Sequence, residues 1–301
     1  MKKNAIAGAV LALLAGLAPV AAQAEGHYVP GVEGTQAASV PPPGFYYLGY
    51  VVNYNINSLR VPGTSDDIPG HNSGTVTALA NRFVWMTGHK VLGADYGVEA
   101  IVPLMRTSLT FNTADPRGVV ADSRSGVGDI YVGPLVLGWH GPQWDAVAAA
   151  GVWLDSASTS NPASPGKGYT STMLTGGLTY YFDPAKTIAG AALMRFERHG
   201  KKDDGFRYGN QVTVEWGLSK AFGPMQAGVV GYSQWQTSDD SGLGARPNAK
   251  ASRHALGAEL VYPVAPGMAL KGAFYKELSA ESGSTPQSKG SLLRLSIVKA
   301  F

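Results

Sequence analysis

The sequence predicts an all-β protein, a transmembrane antiparallel up-and-down β-barrel of about 12 strands, on three observations. Long segments alternate apolar with polar residues at period two, the period that a strand produces. The turns between them alternate short and long, as single-chain outer-membrane barrels do. The composition joins 45% hydrophobic with only 15% charged residues and carries 39 Gly and 14 Tyr, a mixture expected when half of each strand faces lipid and half faces water.

Residues 1–24 read as a cleaved secretory signal: Lys2 and Lys3, an apolar run over 5–20, then Ala22-Gln23-Ala24. The apolar run is short for a membrane-spanning helix, and with 0 Cys the product has neither a lipoprotein anchor nor a thiolate metal site. Residues 25–43 are rich in Gly and Pro and form no regular strand; they are a periplasmic lead-in or a segment folded into the lumen as a plug. Residues 44–301 form the barrel, in the outer membrane of a Gram-negative cell. The formal charge of +3 loses two with Lys2 and Lys3, leaving +1, too little for a nucleic-acid footprint.

The first strand is expected over 44–55, with Tyr46, Leu48, Tyr50, Val52 and Tyr54 on one parity, followed by a loop over 56–71. A strand over 73–86 turns at 87–90 and returns over 91–104, where Tyr96, Val98, Ala100 and Val102 oppose Asp95 and Glu99. Apolar atoms outward and carboxylates inward is the reverse of a soluble barrel. Residues 106–125 read as a polar segment. In the central hairpin, 126–154, Tyr131, Gly133, Leu135, Leu137 and Trp139 share a face, with Tyr131 and Trp139 as girdle rings about 20 Å apart along the membrane normal. Gly141 and Pro142 turn it. Strands follow over 170–182, 187–198, 207–222, 225–236, 253–262, 268–277 and 290–301. The strand over 207–222 alternates most cleanly, with Val212, Val214, Trp216 and Leu218 against Gln211, Thr213, Glu215 and Ser219. The loops near Ser65, Ser160, Lys202 and Asp240 are expected outside the cell, and the turns at Gly141 and Pro184 in the periplasm. The terminal Phe301, in step with Leu293, Leu295 and Ile297, resembles the signal by which barrels engage their assembly machinery.

Segments 26–31 (GHYVPG), 41–46 (PPPGFY), and 128–130 with Trp144-Asp145 carry a resemblance to the outer-membrane family of the meta-pathway of phenol degradation, over nearly the whole mature chain. That resemblance implies a channel for uptake of aromatic or other hydrophobic compounds. In similar proteins the strand after Trp144 ends in a Pro-Thr-Gly turn, where this chain has Asp155-Ser156-Ala157.

The inward set Asp95, Glu99, Arg195, Glu197, Gln211, Glu215, Gln234, Glu259, Lys271 and Arg294 is the candidate lumen lining. Its mixed signs predict a partly plugged lumen with a narrow path for a small-molecule solute, since charges at that depth need partners. No cofactor, metal or catalytic set is expected: the 6 His show no ligand spacing and no nucleophile elbow occurs. Outer-membrane lipids and the assembly machinery are the expected partners. A structural or adhesion barrel and a lipid-modifying enzyme are the alternative readings.

Overall fold

The computed structural model describes residues 26–112 and 119–301; the expected signal over 1–24 lies outside the described residues. Thirteen strands are found among them: β1 (Gly44–Arg60), β2 (Asn72–Val91), β3 (Ala94–Asn112), β4 (Val119–Val127), β5 (Tyr131–His140), β6 (Trp144–Trp153), β7 (Ser171–Tyr181), β8 (Ile188–His199), β9 (Gln211–Phe222), β10 (Met225–Gln236), β11 (Ser252–Ala265), β12 (Met268–Glu281) and β13 (Gln287–Ala300). β13 pairs back onto β1, so the sheet closes and no edge is left open to lipid. β4 and β5 both pair with β3, one along Leu104–Asn112 and the other along Asp95–Ile101, and are therefore two halves of one stave. The molecule is a closed antiparallel barrel of twelve staves.

Outward positions are apolar. Leu174, Leu178, Met194, Leu218, Phe274 and Leu295 all stand exposed on the outer wall, a belt too large for a soluble surface and correct for hydrocarbon. At the short-turn end Phe45, Phe83 and Phe301 form an aromatic cluster, with Phe45 lying 6.4 Å from Phe83 and 5.8 Å from Phe301. Phe182, Phe222 and Tyr262 continue this ring of exposed aromatics near the same end.

Several sequence expectations are corrected. Tyr131 is no girdle residue: it is fully buried inside the barrel, its ring 5.1 Å from that of Trp153. Register shifts between Val132 and Leu135, and between Gly97 and Glu99 opposite, reverse the parity of β5 half-way, so that Val136 joins an inner cluster with Tyr46, Val84 and Met86. The five-residue face is thus divided between inside and outside. In the polar segment expected over 106–125, the described residues 106–112 and 119–125 are strand and not loop, because β3 runs on to Asn112 and β4 starts at Val119; Thr107, Ser108 and Thr110 extend β3 beyond the apolar belt. The β2–β3 turn lies at Leu92-Gly93, where both residues take positive φ (51° and 76°), the geometry of a two-residue hairpin, rather than at 87–90. β1 likewise extends to Arg60.

Candidate functional site

The described part of the N-terminal segment, residues 26–43, enters from the short-turn end and runs up the lumen, carrying a short 3-10 turn at Gly34–Gln36 against β8, β9 and β10. A Gly- and Pro-rich chain without a ladder leaves its backbone N–H groups unmatched, and inside a barrel they need acceptors. The wall carboxylates supply them. Glu197 accepts from the N–H groups of His27 at 3.1 Å and Tyr28 at 3.2 Å. Glu215 accepts from the Glu33 N–H at 3.2 Å and from the Tyr28 hydroxyl, and Glu259 accepts from the Thr35 N–H at 3.0 Å and hydroxyl at 2.7 Å. Arg294, paired with Glu259, donates to the Gly31 carbonyl at 3.0 Å. Gly34 has φ of 76°, and a β-carbon there would run into the Glu259 carboxylate, so this position requires glycine twice over.

Glu33 brings the segment's own charge. Its Oε1 receives Arg195 at 2.5 Å and Arg82 at 3.1 Å, and Arg82 also pairs with Glu99 at 2.6 Å. Burial works against ionisation of this carboxyl, but Arg195 and Arg82 outweigh it and hold the pKa down to about 2, from an ordinary value of 4.5. The Arg195 guanidinium also lies 4.1 Å from the centre of the Tyr28 ring.

Near the long-loop end, Ser171 Oγ lies 2.9 Å from His27 Nδ1 and 2.8 Å from His199 Nδ1, and His27 Nε2 lies 3.3 Å from Asp129. Asp129 is fixed by the N–H groups of Ser156, Ala157 and Lys167 at 2.8–3.0 Å. Asp129, His27 and Ser171 share the residue types of a hydrolytic triad. Ser171 is buried, however, and its hydroxyl bridges the two imidazoles, with donor and acceptor roles set by their tautomers. One potential ligand atom from each of His27, Glu197 and His199 falls within 4.8 Å of the others, a grouping that sequence spacing could not reveal because His27 arrives from the segment.

Beside the segment, between it and β1–β3, is a cavity of about 170 Å³ lined largely by apolar side chains, among them Val52, Ala78, Ala80, Ile101 and Leu292. Arg82, Glu99, Arg195 and Glu33 contribute charged groups to its lining.

Of the ten sequence candidates, Lys271 is half-buried and the other nine are buried. Arg195, Glu197, Glu215, Glu259 and Arg294 touch the segment directly, and Glu99 reaches it through Arg82. Lys271 acts on Glu33 through space, and Gln211 lies against Gly26. Asp95 sits apart, paired with Lys90 at 2.7 Å, and Gln234 bonds Thr213 across the wall at 2.9 Å. Sequence reasoning missed Tyr28, Glu33 and Thr35 on the segment, Arg82 on β2 and the buried pair Arg253–Glu277, at 3.2 Å. One signal was present: segments 26–31 and 128–130, far apart in the chain, meet at the His27–Asp129 contact.

The family model described as "Putative MetA-pathway of phenol degradation" matches residues 56–295. The chain belongs to this family. Among solved structures, the COG4313 outer membrane channel from Pseudomonas putida F1 is similar at 14% identity and a TM-score of 0.74, covering 91% of this chain and 100% of that one. At this identity the likeness establishes a shared barrel fold. The TodX monoaromatic hydrocarbon channel aligns at 10% identity and a TM-score of 0.45, over 87% of this chain and 91% of that one. The β domain of the Bordetella autotransporter BrkA aligns at 12% identity and a TM-score of 0.46, over 87% and 100%. No curated protein matches.

Proposed function

We propose that the protein is an outer-membrane channel for passive uptake of small hydrophobic or aromatic compounds, with the N-terminal segment as its plug and the long loops outside the cell. The observation that carries this reading is the apolar cavity between plug and wall. A barrel serving only as a scaffold would gain stability by filling such a space with side chains. Here Ala78 and Ala80 on β2 keep it open, beside the charged groups of Arg82, Glu99, Arg195 and Glu33. Membership of the phenol-degradation family and the likeness to the Pseudomonas putida outer membrane channel support the same reading.

The test is removal of residues 26–41 from the mature chain. The shortened protein should still show heat-modifiable gel mobility, pass phenol in liposome swelling, and conduct in planar bilayers several-fold more than the full-length protein. If both forms fold yet are electrically silent and tight to phenol, the structural reading replaces this one.

A further inference from the structure

The plug's grip on Arg195 and Arg82 differs from its contacts with Glu215, Glu259 and Arg294. Those three each meet the segment through its backbone or hydroxyl groups, whereas Arg195 and Arg82 meet a carboxylate, and that carboxylate also faces the apolar cavity. Both groups in contact with the Arg195 guanidinium, the Glu33 carboxylate and the Tyr28 ring, belong to the segment. Arg195 is only 6% exposed, and its Nε and Nη1 have no hydrogen-bond partner among the described residues. If the plug withdraws, this buried cation loses its hydrogen-bonded counter-ion and keeps only Glu215, acting through space. Arg82 keeps Glu99, so the deficit falls on Arg195.

The local charge count gives the stoichiometry. Arg82, Arg195 and Lys271 face Glu33, Glu99 and Glu215, three formal positive charges against three negative. Without Glu33 the set carries one uncompensated positive charge at membrane depth, where an unpaired ion is costly. A single anionic group restores the balance. The cavity wall sets the rest of the ligand: an apolar body must lie against Val52, Ala78, Ala80 and Ile101 while its anionic end reaches the two guanidinium groups. Two guanidinium groups converging on one carboxylate oxygen are suited to a carboxylate ligand.

We propose that Arg82 and Arg195 form a carboxylate-binding site for the solute, that Glu33 occupies it in the plugged state, and that the ligand class is a monocarboxylate with an apolar ring or short chain. This inference rests on the channel reading above. Because ligand and Glu33 compete for the same two cations, the solute that enters favours the undocked plug, and by linkage an undocked plug favours the solute. A neutral aromatic fills the apolar part of the cavity but cannot neutralise Arg195, so it does not release the segment.

The experiment compares benzoate with its neutral isostere benzyl alcohol on the full-length mature protein, in planar bilayers and in liposome swelling. Benzoate should raise open probability and enter faster than benzyl alcohol. Glu33→Gln should raise basal open probability and bind benzoate about tenfold more tightly by calorimetry, since the competing carboxylate is gone. Arg195→Met should abolish the advantage of benzoate over benzyl alcohol. Glu33 is not part of the barrel wall, so its variant keeps the test open if Arg195→Met does not fold. Entry of benzyl alcohol with no preference for benzoate and no change in benzoate affinity in Glu33→Gln overturns the carboxylate site while leaving the channel standing. If neither solute enters the full-length protein or Glu33→Gln, and benzoate does not bind, the channel reading and this one fall together.

Discussion

The two sides of the lumen differ in polarity. On β8–β10 the buried inward residues include Arg195, Glu197, Gln211, Thr213, Glu215 and Gln234, with Leu193, Val230 and Tyr232 among them. On β1–β3 the residues that line the cavity are mainly Tyr50, Val52, Ala78, Ala80, Ile101 and Met105, with Arg82 and Glu99 as the charged members. Apolar groups cannot satisfy the N–H groups of an irregular strand, so the plug lies against the polar side and leaves the apolar side as free volume. Much of the inward charge in this barrel thus docks the segment, and on the proposed reading an apolar solute passes where the charge is sparse.

The largest effects should follow from adding bulk, with opposite signs on the two sides. Ala78→Trp fills the cavity and should cut phenol entry about tenfold or more in liposome swelling, with the plug still docked. Gly217→Trp meets the plug instead: even a β-carbon there would stand 2.8 Å from Thr35 Cα. Overpacking of this kind costs about 1–3 kcal/mol, enough to displace the segment and raise bilayer conductance. Conductance changes of the same sign in both variants would mean that the two sides do not have the separate roles assigned to them.

A smaller effect is expected from Glu215→Gln. Hydrogen bonds to a carboxylate contribute about 1.5–3 kcal/mol and neutral ones about 1, so the docked plug should lose about 1 kcal/mol and open roughly fivefold more often. Combining it with Glu99→Gln removes two lumen carboxylates and should shift reversal potentials towards anion preference. A reversal potential unmoved by the double change would place the ion path away from both groups.

The barrel was legible in the sequence because a lipid-facing strand must alternate, and β7 and β9 do so: Leu174 and Leu178 outside Thr175 and Thr179, Trp216 and Leu218 outside Glu215 and Ser219. Alternation failed as a guide where side chains inside and outside are both apolar. On β1, Tyr46, Tyr50 and Val52 face inward, with Phe45 and Val51 exposed on the outer face. On β5 the bulge reverses parity within an apolar run, and nothing in composition marks where it falls. The inward charges were legible one by one, but their partners were not. Glu33 and Tyr28 lie over 160 residues from Arg195 and Glu215 and in no repeating pattern with them, so only the closed barrel brings them together.

The smallest effect under ordinary conditions is the pH response of the plug. Glu33 has its pKa depressed to about 2 in the docked state from 4.5, so the docked state binds fewer protons than the undocked one. Docking strength from this group is therefore complete above about pH 4.5 and is lost as pH falls towards 2. Arg82, Arg195 and Lys271 are the cations that face Glu33. Open probability should be flat from pH 7 to about 5 and rise below 4.5, and Glu33→Gln should flatten most of that rise. A rise that survives unchanged in Glu33→Gln but vanishes in His27→Ala would instead assign the control to the far end of the plug, at Asp129 and Ser171, and would move the weakest docking contact from the middle of the lumen to its long-loop end.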